Sequence, residues 1–96
     1  MFGIETIKSK LRPVFSNYNI NSAILFGSYA KGSATEKSDV DLLVDSNLHG
    51  LSFFALIEDI REALDEKEVD VFDVSHINSG SMVQQEIFST GVKIYG

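Results

Sequence analysis

Two aspartates, Asp39 and Asp41, are spaced as a carboxylate pair in the apolar segment DVDLLVD. Alternate side chains of a strand project from one face, so both carboxylates would share a face. Their Cα atoms would lie roughly 7 Å apart, from a rise of about 3.3 Å per residue. Two negative charges held this close destabilise a fold unless a cation lies between them. Mg²⁺ is the expected cation, because it prefers oxygen ligands and shares its coordination with substrate phosphates.

A third carboxylate is expected from the segment EVDVFDV, residues 68–74. Asp70 stands there in an apolar strand pattern where an aliphatic residue would be usual. Sites with two metal ions ~3.5–4 Å apart normally need a further acid from another part of the chain. Asp73 is the competing candidate, but its odd spacing puts it on the opposite face of the strand from Asp70. The pattern therefore favours Asp70. The alternatives are a structural hydrogen bond for Asp70 and a solvated edge-strand face for the Asp39–Asp41 pair.

Gly27 and Ser28 end a buried apolar segment ten residues before the aspartate pair. Glycine allows close approach of the backbone, and the N–H groups that follow it can point at phosphate oxygens. Ser28 adds a hydroxyl at the same point, where the chain should form a turn or a short helix. The dipeptide alone carries no weight, since it recurs at Gly32-Ser33. Its meaning comes from the spacing to Asp39 and Asp41.

Helical periodicity predicts the elements that must position these residues. A first helix begins near Ile4, and Pro13 should kink or close it. A second extends from about Leu51 to Asp65. Its core side should carry the Phe53–Phe54 pair and the rest of the apolar stripe, Ile57, Ile60 and Leu64. A third covers Ser81 to Thr90, with a capping box at Ser81 and with Gly91 at its C-cap.

Strands are predicted at four short apolar segments, residues 22–26, 39–44, 68–74 and 92–95. The connection from Gly27 to Ser38 is too short for a full crossover between parallel strands, so the first two strands should be antiparallel. The pattern predicts an α/β fold, with a small mixed β-sheet and flanking helices. A chain of 96 residues has room for one such domain, residues 1–96.

Composition restricts the partners. Fourteen acidic residues against eight basic ones give a formal net charge of −6, which argues against direct binding of a long nucleic acid. A metal-bridged nucleoside triphosphate or a basic protein remains compatible with this charge. The chain has no cysteine, so it has no disulfide or thiolate site. No apolar stretch approaches the roughly 20 residues of a membrane span, and no signal peptide is apparent, so we expect a cytoplasmic protein with no membrane contact.

The segment ILFGSYAKGSATEKSDVDLLVD resembles the polymerase-beta-like nucleotidyltransferases, and in particular their minimal nucleotidyltransferase branch. The resemblance implies the polymerase-beta-like fold and two Mg²⁺ ions held by Asp39 and Asp41. It implies that Asp70 binds the catalytic metal and helps to remove a proton from the attacking hydroxyl. Gly27 and Ser28 would hold the triphosphate of ATP. Lys31, the further candidate for phosphate binding, stands where many relatives carry arginine; lysine lacks the two-pronged donor geometry, and simple solvent exposure is the alternative.

Within this branch, the chain resembles the antitoxins of toxin–antitoxin pairs in which the toxin is a HEPN-type ribonuclease. The resemblance implies transfer of AMP from ATP to a tyrosine hydroxyl of that toxin, within a hetero-oligomer. A small-molecule acceptor of the aminoglycoside type is an alternative, although no acceptor-binding domain is evident. A second alternative is an antitoxin that neutralises its partner by occlusion without catalysis, which would not require three neighbouring carboxylates.

Overall fold

The structure, a computed structural model, describes residues 2–96. These residues form four α-helices and one four-stranded sheet, with a 3₁₀ turn at Val74–His76. The elements in chain order are α1 (Ile4–Asn17), β1 (Ser22–Phe26), α2 (Ser28–Lys31), β2 (Val40–Asp45), α3 (Leu51–Ala63), β3 (Val69–Asp73), α4 (Met82–Thr90) and β4 (Val92–Tyr95). The predicted sequence of helices and strands is confirmed. The segment after Gly27 is a one-turn helix.

The strands form one sheet in the order β3-β2-β1-β4. Strand β1 pairs antiparallel with both β2 and β4, whereas β2 and β3 are parallel. A parallel pair needs a long crossover between its strands, and α3 supplies it. The predicted mixed sheet and the antiparallel pairing of the first two strands are both confirmed.

Helices α1 and α3 cover one face of the sheet and form the core with it. Strand β2 contributes Val40, Leu42 and Val44, all fully buried, as the alternation around the aspartate pair requires. Fully buried side chains from the two helical segments complete this core: Ile7, Leu11, Phe15, Leu56, Ile60 and Leu64. Burying each such side chain contributes about 1.5–3 kcal/mol to folding. None of the helices within residues 2–96 combines the length and hydropathy that crossing a membrane requires.

One helical prediction was wrong in detail, and one of the two outcomes expected at Pro13 does not occur. Phe54 is not core: its side chain is 61% exposed, and Leu56 occupies the buried position instead. Phe53 and Ile57 are only half-buried, because the helix turns its Leu56–Ile60–Leu64 side to the sheet. Pro13 does not close α1, which continues to Asn17. Pro13 and Ser9, whose carbonyl loses its helical partner, both lie on the exposed side, where water can replace that hydrogen bond.

The ends of α4 also differ from the simplest expectation. The hydroxyl of Ser81 accepts a hydrogen bond from the N–H of Gln84, as the capping box predicts. The Gln84 side chain, however, accepts from the N–H of Gly80 rather than that of Ser81. Gly91 follows the helix but has a φ of −60°, so it is not a left-handed cap. Glycine is needed there because a Cβ would lie 2.5 Å from the Ile87 carbonyl oxygen and 3.1 Å from a methyl carbon of Ile24.

The Asp73 carboxylate fastens the end of β3 to the end of β2. It is 2% exposed, and one of its oxygens accepts hydrogen bonds from the N–H and hydroxyl of Ser46. Its other oxygen accepts from the N–H and hydroxyl of Ser75, at 3.0 and 2.6 Å. Burial opposes ionisation of this group, but the four hydrogen bonds outweigh it and lower the pKa of Asp73 to about 2. Asp73 therefore has a structural role, and Asp70 stays the predicted metal ligand of this strand.

Replacing Asp73 with asparagine should lower the free energy of unfolding by about 1–3 kcal/mol, because an amide cannot accept all four hydrogen bonds. Urea denaturation at pH 7 measures the effect. Asp45→Asn, at the half-exposed end of β2, is the matched control and should change stability by no more than about 0.5 kcal/mol. Equal stability of wild type and Asp73→Asn would show that this carboxylate does not fasten the strands.

Candidate active site

The sheet register brings the predicted acids from two strands together. In the parallel pairing of β2 with β3, Asp41 lies directly beside Asp70. In the antiparallel pairing of β1 with β2, Asp41 lies opposite Phe26, the residue before Gly27. The turn that begins at Gly27 therefore lies at the end of the sheet that carries both carboxylates. Asp41 and Asp70 form what we call the acidic row. It lies on the face of the sheet opposite to α1 and α3, because the alternate residues of β2 fill the core.

The three acids differ in exposure. Asp41 is half-buried, whereas Asp39, just before β2 begins, and Asp70 are exposed. Burial is the main cause that raises the pKa of Asp41 to about 6, followed by the charge of Asp70 and a hydrogen bond with it. The charges of Asp39 and Glu86 raise the pKa further. The charged groups that raise this pKa are all acids, so a cation bound beside Asp41 would favour its ionised form.

Gly27 is required by two independent features of this site. Its φ of +75° lies in the region that side chains disfavour. A Cβ at this position would also lie 2.3 Å from a carboxylate oxygen of Asp41. The backbone of the turn therefore passes directly against the half-buried aspartate. Only glycine allows this approach.

The remaining two candidates lie on α2 but differ in their surroundings. Ser28 is the first residue of α2 and follows Gly27, whose backbone passes against Asp41. Lys31 ends the helix and its side chain is exposed. It lines a depression next to Ile4 and Glu5 at the start of α1, a depression that none of the three aspartates lines. The structure thus associates Ser28, but not Lys31, with the acids.

Sequence reasoning missed Thr90. Its hydroxyl accepts a hydrogen bond of 3.0 Å from the N–H of Gly27, 63 positions away in the chain. The same hydroxyl donates to the carbonyl of Glu86, one turn earlier in α4. Thr90 therefore ties the end of α4 to the turn that contacts Asp41. No local pattern reveals such a contact, because it depends on how α4 packs across β1.

The acidic row offers an incomplete set of metal ligands. Within residues 2–96, no three acidic or histidine side chains converge closely enough to enclose a metal by themselves. Asp41 and Asp70 are direct neighbours across the strand pair, and their hard oxygen ligands suit Mg²⁺, which commonly takes one or two carboxylates plus oxygens of substrate and water. The residues present therefore fit a metal that a phosphate-bearing ligand helps to hold.

Asp41→Asn should stabilise the metal-free protein at pH 7. The pKa of Asp41 rises from 3.8 to about 6 on folding, so the folded chain binds the proton more tightly and the free energy of unfolding falls as pH rises through this range. Asparagine stays neutral and avoids this loss. We expect a melting temperature higher by roughly 4–8 °C at pH 7, corresponding to about 1 kcal/mol, and no difference near pH 4.

Thermal unfolding in chelator across this pH range tests the expectation, with Asp45→Asn as the control. An Asp41→Asn protein no more stable than wild type at pH 7 would contradict it.

The contribution of Asp73 to stability should depend on pH in the opposite sense. Because its pKa is lowered to about 2 on folding, its contribution is present at pH 4 and above and is lost only as pH falls toward 2.

Thr90→Val removes a hydroxyl while keeping the shape of the side chain, and should leave the Gly27 N–H without its acceptor. We expect hydrogen exchange of the Gly27 amide to accelerate about 5-fold or more, as loss of a hydrogen bond worth about 1 kcal/mol implies. Thr90→Ser keeps the hydroxyl and should exchange like wild type. NMR-detected exchange measures both variants, and equal Gly27 rates in all three proteins would exclude this role for Thr90.

Comparisons with known proteins identify the family of this chain. The family described as polymerase beta, nucleotidyltransferase matches residues 9–96. Protein adenylyltransferase MntA of Thermococcus cleftensis is 35% identical over 85 residues, covering 83% of this chain and 86% of that protein. A chain in a crystal structure of a toxin–antitoxin with AMP-PNP has a TM-score of 0.74 and 26% identity, covering 93% of this chain and 73% of its own length.

A further similar chain comes from a complex of tri-AMPylated Shewanella oneidensis HEPN toxin with MNT antitoxin. Its TM-score is 0.68 at 23% identity, covering 97% of this chain and 72% of that one, and it bears on the fold alone. The family match confirms the resemblance first carried by the Gly27-Ser28 and Asp39-Val40-Asp41 segments. The four-stranded mixed sheet with flanking helices is accordingly the polymerase-beta-like fold. The chain belongs to the polymerase beta nucleotidyltransferase family.

Proposed function

We propose that this chain is a protein adenylyltransferase that transfers AMP from Mg²⁺-bound ATP to a tyrosine hydroxyl of a HEPN-type toxin and thereby acts as its antitoxin. The observation that carries the proposal is the alignment of Gly27, Asp41 and Asp70 at one end of the sheet. The similarity to protein adenylyltransferase MntA over most of both chains supports the reaction class. The similarity to a toxin–antitoxin structure with AMP-PNP supports both the nucleotide and the biological context.

Asp39 and Asp41 would hold the two Mg²⁺ ions, with Asp70 sharing the catalytic one. When bound, the ions neutralise charge on the triphosphate and on the leaving pyrophosphate. The turn at Gly27 and Ser28 would bind the phosphates, since its backbone passes against Asp41 and Ser28 begins a helix. Lys31 remains a prediction as a phosphate ligand, because its side chain lies in a different depression.

The reaction would be an in-line displacement at the α-phosphorus of ATP. The tyrosine oxygen forms the new bond to phosphorus while the bond to the bridging oxygen of pyrophosphate breaks. Asp70 is suited to accept the tyrosine proton, because it is exposed and can meet a hydroxyl that arrives from solvent. The half-buried Asp41 is suited instead to a fixed ligand role. We further propose that residues 1–96 act as one minimal nucleotidyltransferase domain.

The test uses this protein, the HEPN-type protein encoded beside it, Mg²⁺ and ATP labelled on either the α- or the γ-phosphate. Label from the α-phosphate should appear on a tyrosine of the partner, whereas label from the γ-phosphate should not. Asp39→Ala/Asp41→Ala and Asp70→Asn should lower the rate by about 10²-fold or more, since each removes charge stabilisation from the transition state. Asp65→Asn, at an exposed acid that follows α3 on the other side of the sheet, should retain the wild-type rate.

Absence of label on the partner, or equal labelling by the double variant, would contradict the proposed reaction. Toxin neutralisation in cells separates catalysis from occlusion. If the Asp39→Ala/Asp41→Ala chain still neutralises the toxin fully, then binding alone accounts for protection. If protection is lost while the variant still binds the toxin, the transfer of AMP is the basis of neutralisation.

A further inference from the structure

The face of the sheet that carries the acids also carries an apolar groove beside α4. We name it the α4 groove, and it is lined by Leu43, Val74, Ile77, Gln84, Ile87 and Phe88. Every residue of α4 keeps part of its surface in solvent. The Phe88 side chain is 84% exposed and that of Val74 is 45% exposed. Large apolar side chains grouped on one surface mark a site of interaction rather than ordinary surface composition.

The α4 groove is continuous with the acidic row. Leu43 follows Asp41 by two residues on the same face of β2, which places their Cα atoms roughly 7 Å apart, from a rise of about 3.3 Å per residue. On the other side of the groove, Glu86 precedes Ile87 in α4, and its charge reaches Asp41. A protein segment bound in the groove would therefore hold its neighbouring side chains next to Asp41 and Asp70.

The charges around the groove indicate what kind of partner it fits. Asp45 flanks it along β2, and Asp70 and Glu86 flank it at the active-site end. The chain as a whole carries a formal net charge of −6. A second copy of the chain would bring the same carboxylates against these, and like charges across an interface are strongly unfavourable. A partner with an apolar anchor flanked by lysine or arginine side chains is complementary to this surface in both respects.

Building on the proposed function, we infer that the α4 groove is the docking surface for the acceptor protein. The partner inserts an apolar side chain between Phe88 and Val74, and its basic residues face Glu86 and Asp45. This contact brings the acceptor hydroxyl to Asp70. Because Thr90 joins α4 to the Gly27 turn, the docking helix and the phosphate-binding turn are part of one connected unit.

The experiment measures binding of the purified HEPN-type partner without ATP, by calorimetry. Phe88→Asp should raise the Kd by about 30-fold or more, as expected for loss of an aromatic anchor. Phe88→Leu should stay within about 5-fold of wild type because it keeps the contact apolar. Phe54→Asp is the matched control, since Phe54 is 61% exposed but lies on α3, across the sheet. Its Kd should match that of wild type, and the wild-type Kd should rise with salt concentration.

Unchanged affinity of Phe88→Asp, or equal losses in Phe88→Asp and Phe54→Asp, would overturn the inference. It would also be overturned if sedimentation velocity showed a dimer of this chain that Phe88→Asp dissociates. Transfer of AMP is read separately. Wild type that binds the partner through Phe88 but never labels it would refute the proposed reaction and leave the docking surface supported. Wild type that labels the partner, with Phe88→Asp binding and labelling equally well, would refute only the docking surface.

Discussion

The arrangement of the site depends on the register of the parallel pair β2–β3, which puts Asp41 beside Asp70. Burial of Asp41 is unfavourable for its charge, and repulsion from Asp70 adds to this, as the Asp41 pKa of about 6 indicates. The register persists because the opposite face of β2 is fully buried under α1 and α3. A slip of one residue would send Asp41 into that core and expose Val40 or Leu42. The hydrophobic core thus enforces an electrostatically unfavourable row that a bound cation would relieve.

The two aspartates of β3 illustrate how surroundings decide the role of a carboxylate. Asp73 is buried, yet four hydrogen bonds stabilise its charge and lower its pKa to about 2. Asp70, three residues earlier, is exposed and faces another acid across the strand pair. The first is satisfied entirely by the protein and serves its stability. The second retains ligand capacity for a metal or a proton.

The two faces of the sheet are divided in function. One is closed by α1 and α3, whereas α4, which packs chiefly on β1, covers only part of the other. This partial cover leaves the acidic row accessible and leaves the α4 groove beside it. Such openness reduces the apolar surface that the chain buries, and a domain of this size has little stability to spare. The stability of the fold therefore comes from the closed face and the Asp73 hydrogen bonds, which offset the unfavourable energy of the acidic row.

The sequence by itself determined the order of helices and strands and the mixed sheet, because strand alternation and a short loop are local properties. Alternation also separated Asp70 from Asp73, which lie on opposite faces of β3. It could not determine which side of α3 is buried, since Phe54 and Leu56 are both apolar and only packing separates them. The bond from Gly27 to Thr90, 63 positions away, likewise required the tertiary structure. So did the reason for Gly91, whose absent Cβ makes room for Ile24 and the last turn of α4. Local patterns specify the elements and the chemistry they carry, whereas close contacts between distant segments are decided only when the chain packs.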